Sequence, residues 1–182
     1  MSNIAPTASI ETSPAAAQAG LKAVNGMLGS VPNLFRVLAH APAALDGYLG
    51  FSAALGKGTL DHKTRERLAL VVAQANGCDY CLAAHSYISA NMAKLSADEI
   101  AAARAGKAAD AKTQAALVFA QAVVASRGHA KQADIAAVRA AGWDNGAILE
   151  IVAHVALNTL TNYVNSVADT PVDFPAAAAL VA

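Results

Sequence analysis

Charge is scarce in this sequence. Of its 182 residues only 14% are Asp, Glu, Lys or Arg, against roughly a quarter in an ordinary soluble domain. The two signs cancel, 13 against 13, and no block of like charge stands out. That excludes the electrostatic footprint a nucleic acid or an anionic membrane surface would require. Aromatic residues are few, 5%, while the hydrophobic share reaches 55%. Alanine supplies much of that share, and it favours helix without filling volume. A chain with so little charge to cover its surface is expected to bury part of it against copies of itself. A homo-oligomer is therefore anticipated.

Other features are missing too. The opening "MSNIAPTASIETSPAAAQAG" has no basic start followed by an apolar stretch, so no signal peptide is expected. No uninterrupted apolar run approaches the roughly 18 residues of a membrane helix. These absences predict a cytoplasmic protein with no membrane partner. There are only two cysteines, too few for a disulfide framework. In the cytosol a lone C-x-x-C pair is more often catalytic or metal-binding than a staple.

No stretch alternates with period two, and the expected fold class is all-α, in a single domain. Residues 1–14 are rich in Ser, Thr and Pro and read as a mobile or loosely docked arm; residues 15–182 read as the helical domain. Gly29 ends the first helix, Pro42 separates two more, and Asp61 caps "HKTRERLALVVAQAN". The turn at Asn76–Gly77 stops that helix, and a new one opens near Cys78 and runs to about Lys94. "SADE" at 96–99 matches a capping box. Three further helices follow, the last running to the Thr170–Pro171 break. A weak echo links "ERLALVVAQAN" from Glu66 with "EIVAHVALN" from Glu150, each with a glutamate heading an apolar helix.

What chemistry there is concentrates in "QANGCDYCLAAH", residues 74–85. In a helix starting near Cys78, the residues Cys78, Cys81 and His85 share one face within two turns. The N-terminal end of a helix favours thiolate over thiol, and a C-x-x-C pair there has depressed thiol pKa values. Cys78 gains most from the helix end, whereas Cys81 has the imidazole of His85 one turn away. Glu66 precedes Cys78 by 12 residues. A hairpin turned at Asn76–Gly77 would bring it to the cysteine face, where a carboxylate would orient the imidazole and raise its pKa. Glu66, His85 and the two cysteines would then make a minimal proton-relay thiol centre.

Plainer readings stand beside this one. The cysteines could be two buried apolar thiols, His85 a core histidine, and Glu66 a surface residue between Arg65 and Arg67. Two thiolates, an imidazole and a carboxylate could also bind zinc, although three of the four lie on one helical stretch. His62 reads as exposed, His40 as preceding a turn and His129 as a loop residue. His154, four beyond Glu150, reads as an acid–imidazole pair or a core pair. Asn158, Asn162 and Asn165 give the last helix a polar stripe, with Tyr163 beside it.

"RERLALVVAQANGCDYCLAAH", with Glu66, Cys78, Cys81 and His85 in that spacing, resembles the active-site signature of the AhpD-like alkyl hydroperoxidases of the carboxymuconolactone decarboxylase superfamily. "VPNLFRVLAHAPAAL" upstream and "GWDNGAILEIVAHVALNTLTNYVNSVADTPVDFP" downstream resemble its peroxidase-related branch. The resemblance covers nearly everything after about residue 20. It implies an all-helical fold assembled as trimers, dimers or hexamers; separately, no bound cofactor or metal is expected. It implies roles as well: Cys81 attacks peroxide, Cys78 supplies a proton and closes the disulfide, and His85 with Glu66 removes the proton from Cys81. A lipoyl group, a thioredoxin-like protein or a small thiol would be the reductant. Tyr80 is a departure, since the well-studied relatives have a histidine immediately before the second cysteine; it is kept as an auxiliary residue. The expected function is thiol-dependent reduction of alkyl hydroperoxides. The alternatives are a disulfide reductase or oxidative-stress redox protein, a non-redox decarboxylase-like enzyme, and a non-enzymatic or zinc-bound helical oligomer.

Overall fold

The computed structural model describes residues 2–180, and among them there are nine α-helices and no strand. The helices are α1 (Ala15–Leu28), α2 (Asn33–Leu38), α3 (Pro42–Leu55), α4 (His62–Asn76), α5 (Asp79–Asn91), α6 (Ala97–Arg104), α7 (Ala111–Ala125), α8 (Gln132–Ala140) and α9 (Asn145–Ala168). Local chemistry sets most of their ends. Asp61 accepts the Thr64 N–H at 2.7 Å to start α4, and Gly77, in the left-handed region, ends it. Ser96 and Glu99 close the capping box at the start of α6. Pro42 occupies the first turn of α3, where its missing N–H costs nothing.

Helix α4 is the axis of the molecule and packs against α5, α6, α7 and α9. Its run Leu68–Ala73 is buried all round, as a helix enclosed on every side must be. One core cluster joins α4, α7 and α9 through Leu68, Val71, Val72, Leu117, Phe119 and Ile151. A second joins α1, α2 and α3 to the start of α5 through Leu21, Leu34, Leu38, Leu45 and Leu82, and both cysteines belong to it. Helix α9 is the one described helix with the length and mean hydropathy, 1.2, of a membrane span. Half of that apolar stretch is buried in the molecule, so its hydropathy is that of a core helix.

Three expectations change. The arm is not loosely held: the Ile4 N–H donates to the Ala168 carbonyl at 3.0 Å and Thr7 exchanges backbone and side-chain bonds with Arg36. The Arg36 guanidinium donates to the carbonyls of Thr7 and Ala8, both at 2.6 Å, and the His40 ring bonds the Ala5 carbonyl at 2.9 Å. Helix α5 stops at Asn91 rather than Lys94, because the chain turns left-handed at Lys94 and the Leu95 N–H folds back to the Ser89 carbonyl. Glu150 does not pair with His154. Its carboxylate accepts the backbone N–H groups of Thr59 and Leu60, so the echo between Glu66 and Glu150 carries no common role.

Candidate active site

The tight turn at Gly77 sets α4 and α5 side by side as a hairpin. Cys78 is the N-cap of α5, and its Sγ accepts the Cys81 N–H at 3.3 Å. Cys78 and Cys81 are joined as a disulfide, with Cα atoms 5.3 Å apart, and each is only 3% exposed. The Cys81 sulfur also accepts a hydrogen bond from Nδ2 of Asn165, at 3.3 Å across from α9.

Glu66 lies on the face of α4 turned to α5 and is buried rather than part of a surface ladder. Its Oε2 is 2.9 Å from Nδ1 of His85, and its Oε1 is 3.7 Å from Nε2 of His62, one turn before it on α4. The carboxylate thus lies between two imidazoles. His85 spends its bond on Glu66 and makes none to either sulfur in the disulfide state. The spacing from His62 to Glu66, four residues, was the available signal for the second imidazole. Asn165 was visible only as part of a polar stripe. That stripe proves to be internal: Asn158, Asn162 and Asn165 are buried, whereas Tyr163 points outward. Asn162 accepts from Asn76 at 2.8 Å, and Asn158 donates to the His154 carbonyl at 2.8 Å.

Tyr80 packs beside the cysteines but bonds neither sulfur with its hydroxyl. Its hydroxyl donates to Asp173 Oδ1 at 2.8 Å and accepts the Leu34 N–H at 3.1 Å. Burial, with Asp173 beside it, pushes its pKa far above the ordinary tyrosine value.

The two halves of the site open on different spaces. Cys78 lines a polar cleft of about 290 Å³ with Asn165, Asp169 and Thr170. Glu66, His62 and His85 line a cavity of about 400 Å³ whose remaining wall is mostly apolar and includes Leu28, Phe35, Leu49 and Leu157. Tyr48 is on that wall too; burial and then the Glu66 charge push its pKa up to about 12. Among the described residues no group of three or more His, Cys, Asp or Glu side chains is arranged to hold a metal ion.

Two cysteines bonded at a helix start can shuttle between dithiol and disulfide, taking up or releasing two electrons, and a carboxylate–imidazole couple one turn on can move a proton. The class is therefore an all-helical protein with a C-x-x-C disulfide at a helix start. Residues 40–126 match the model of the carboxymuconolactone decarboxylase family. The fold matches the alkylhydroperoxidase AhpD core of a peroxidase-related protein from Ralstonia eutropha JMP134, with 27% identity, 93% of each chain covered and a TM-score of 0.81. It also matches a peroxidase-related protein from Silicibacter sp. TM1040, with 25% identity, 87% of this chain and 85% of that one covered, and a TM-score of 0.73. A cysteine-to-alanine form of the debrominase Bmp8, bound to 2,3,4-tribromopyrrole, shares the fold at 19% identity, with 93% and 91% covered and a TM-score of 0.79. No curated protein matches the chain significantly in sequence. The chain has the AhpD-like fold, and its residues 40–126 resemble the carboxymuconolactone decarboxylase family.

Proposed function

We propose that the protein is a thiol-dependent peroxidase acting on organic hydroperoxides. In the reduced protein the Cys81 thiolate attacks the distal oxygen of R–OOH. The O–O bond breaks, RO⁻ takes up a proton to leave as R–OH, and Cys81 becomes a sulfenic acid. The Cys78 thiolate then attacks the Cys81 sulfur, and the hydroxyl leaves as water with one proton. The sum is R–OOH plus two thiols giving R–OH, water and a disulfide. Glu66 and His85 handle the protons, with the carboxylate holding the ring through Nδ1. Asn165 donates to the Cys81 sulfur, which favours its thiolate. An external dithiol, such as a lipoyl group or a thioredoxin-like protein, returns the electrons by attacking Cys78 from the polar cleft. We place this activity in the cytoplasm and in a homo-oligomer, in keeping with the low charge of the chain.

The observation that carries this reading is the bond between Glu66 and His85 one turn along α5 from a paired Cys81. Intact mass and thiol count after one equivalent of an organic hydroperoxide is added to the reduced protein test it. Rapid loss of two hydrogens and both thiols, abolished in Cys81→Ser, is expected. Thiols that react no faster than free cysteine would rule peroxide out as the substrate. A disulfide that exchanged readily with added dithiols in that case would leave the disulfide-reductase alternative.

A further inference from the structure

The larger cavity holds charge that the peroxidase chemistry does not use. Arg65 lines it from α4, beside Glu66. Among the described residues its guanidinium forms no ion pair, and its Nε is buried without a hydrogen-bond partner. The carboxylates around it are committed elsewhere. Glu66 is held between His62 and His85, and Glu150 is held by the backbone of Thr59 and Leu60. His154 reaches the same cavity from α9. It is 5% exposed, and its Nε2 is buried with no partner. Unmet donors in a protein interior cost free energy unless something satisfies them. Burial first, then the Arg65 charge, hold the His154 pKa below its ordinary value against the opposing pull of Glu150 and Glu66. The ring is thus a neutral group that can offer one N–H. Tyr48 keeps its proton and lines the same wall.

The rest of the cavity is a slot for hydrocarbon. Leu28, Phe35, Leu49 and Leu157 form its walls, and Met27, 68% exposed, stands at its rim. About 400 Å³ is in the range of a small-ligand site, roughly 300–1,000 Å³, built of apolar walls with a few convergent polar groups.

We propose that this cavity binds an aliphatic carboxylic acid, with the carboxylate against Arg65 and His154 and the hydrocarbon body along Leu28, Phe35, Leu49 and Leu157. A guanidinium matches a carboxylate in geometry as well as charge. Building on the peroxidase reading, the substrate is then the hydroperoxide of such an acid. Its chain runs past the Glu66–His85 couple, which opens on the same space, while Cys78 stays turned to the separate cleft used by the reductant.

Octanoate and octanol, titrated calorimetrically into the fully reduced protein, test the acid site apart from any redox step, since neither can oxidise a thiol. Octanoate is expected to bind saturably and at least about tenfold more tightly than octanol, the scale of a charged hydrogen bond formed in a half-buried site. In Arg65→Met that preference is expected to vanish with octanol affinity unchanged; His154→Gln reduces it in part. Equal affinities in the unaltered protein would overturn the proposal, as would no binding of either. A preference for octanoate that survived Arg65→Met would overturn the assignment of the carboxylate to Arg65. Should Arg65→Met fail to fold, the octanoate–octanol comparison decides alone. Octanoate binding alongside thiols inert to peroxide would sink the peroxidase reading and keep the acid site; peroxide turnover without octanoate binding would do the reverse.

Discussion

Asn165 touches the Cys81 sulfur from a helix far away in sequence, and the amide offers only N–H to it. A donor aimed at sulfur stabilises thiolate over thiol, and hydrogen bonds to charged groups contribute about 1.5–3 kcal/mol, or roughly one to two pKa units. Asn165→Ala should therefore raise the Cys81 thiol pKa by about one unit. It should slow the reaction of reduced protein with hydroperoxide at neutral pH and spare it above the raised pKa. Thiolate ultraviolet absorbance against pH, in a Cys78→Ser background, reads the shift directly. An unchanged titration would mean that the contact orients the disulfide only. Glu66, Cys78, Cys81 and His85 were legible in the sequence because they fall within 20 residues of one another on two adjoining helices. Asn165 was not, since nothing in a single sequence says which face of α9 meets the start of α5. Arg65 was read only as a flank of Glu66, because an unpaired cation shows itself only when its neighbours' partners are known.

Between elements, Tyr80 acts as a latch. It stands in the first turn of α5, takes the Leu34 N–H at the start of α2, and donates to Asp173, which also accepts the Asn33 N–H at 2.7 Å. Phe174 meets its ring edge-on at 5.9 Å. Three segments distant in sequence are thus pinned beside the cysteine turn. Tyr80→Phe removes the hydroxyl and leaves the buried Leu34 N–H without an acceptor, a loss of about 1–3 kcal/mol. The expected outcome is a lower urea midpoint with the thiol–peroxide rate changed by less than about threefold, under the 1.4 kcal/mol that a tenfold change represents. A large rate loss at unchanged stability would instead return Tyr80 to the chemistry. The helix ends themselves were legible, because Asp61, Ser96, Gly29 and Gly77 cap them through bonds and backbone angles local to the chain. The docking of the arm was not, because its partners Arg36, His40 and Ala168 are fixed only by the tertiary fold.

Across the whole molecule, the two cores meet along α4, and the imidazole of His154 is buried where α9 crosses it. The charges that act on it are Arg65 and Glu66 from α4 and Glu150 from its own helix, and burial dominates them in lowering its pKa. The sign follows. On acidification the unfolded chain takes up a proton at this residue near the ordinary value of 6.5, before the folded protein does. Folded protein therefore loses stability as pH falls from that value towards the lowered one, and the contribution is fully present above it. Other ionisable groups contribute to the pH dependence as well, so the unaltered protein's profile is a sum. The difference from His154→Gln isolates one ring: that variant should lose less melting temperature between about pH 7.5 and about pH 5 than the unaltered protein. If octanoate fills the cavity, its carboxylate beside His154 favours the protonated ring, and adding it should shrink the difference between the two proteins. Parallel melting curves with and without octanoate would show that the imidazole is already charged, or that it does not meet the ligand.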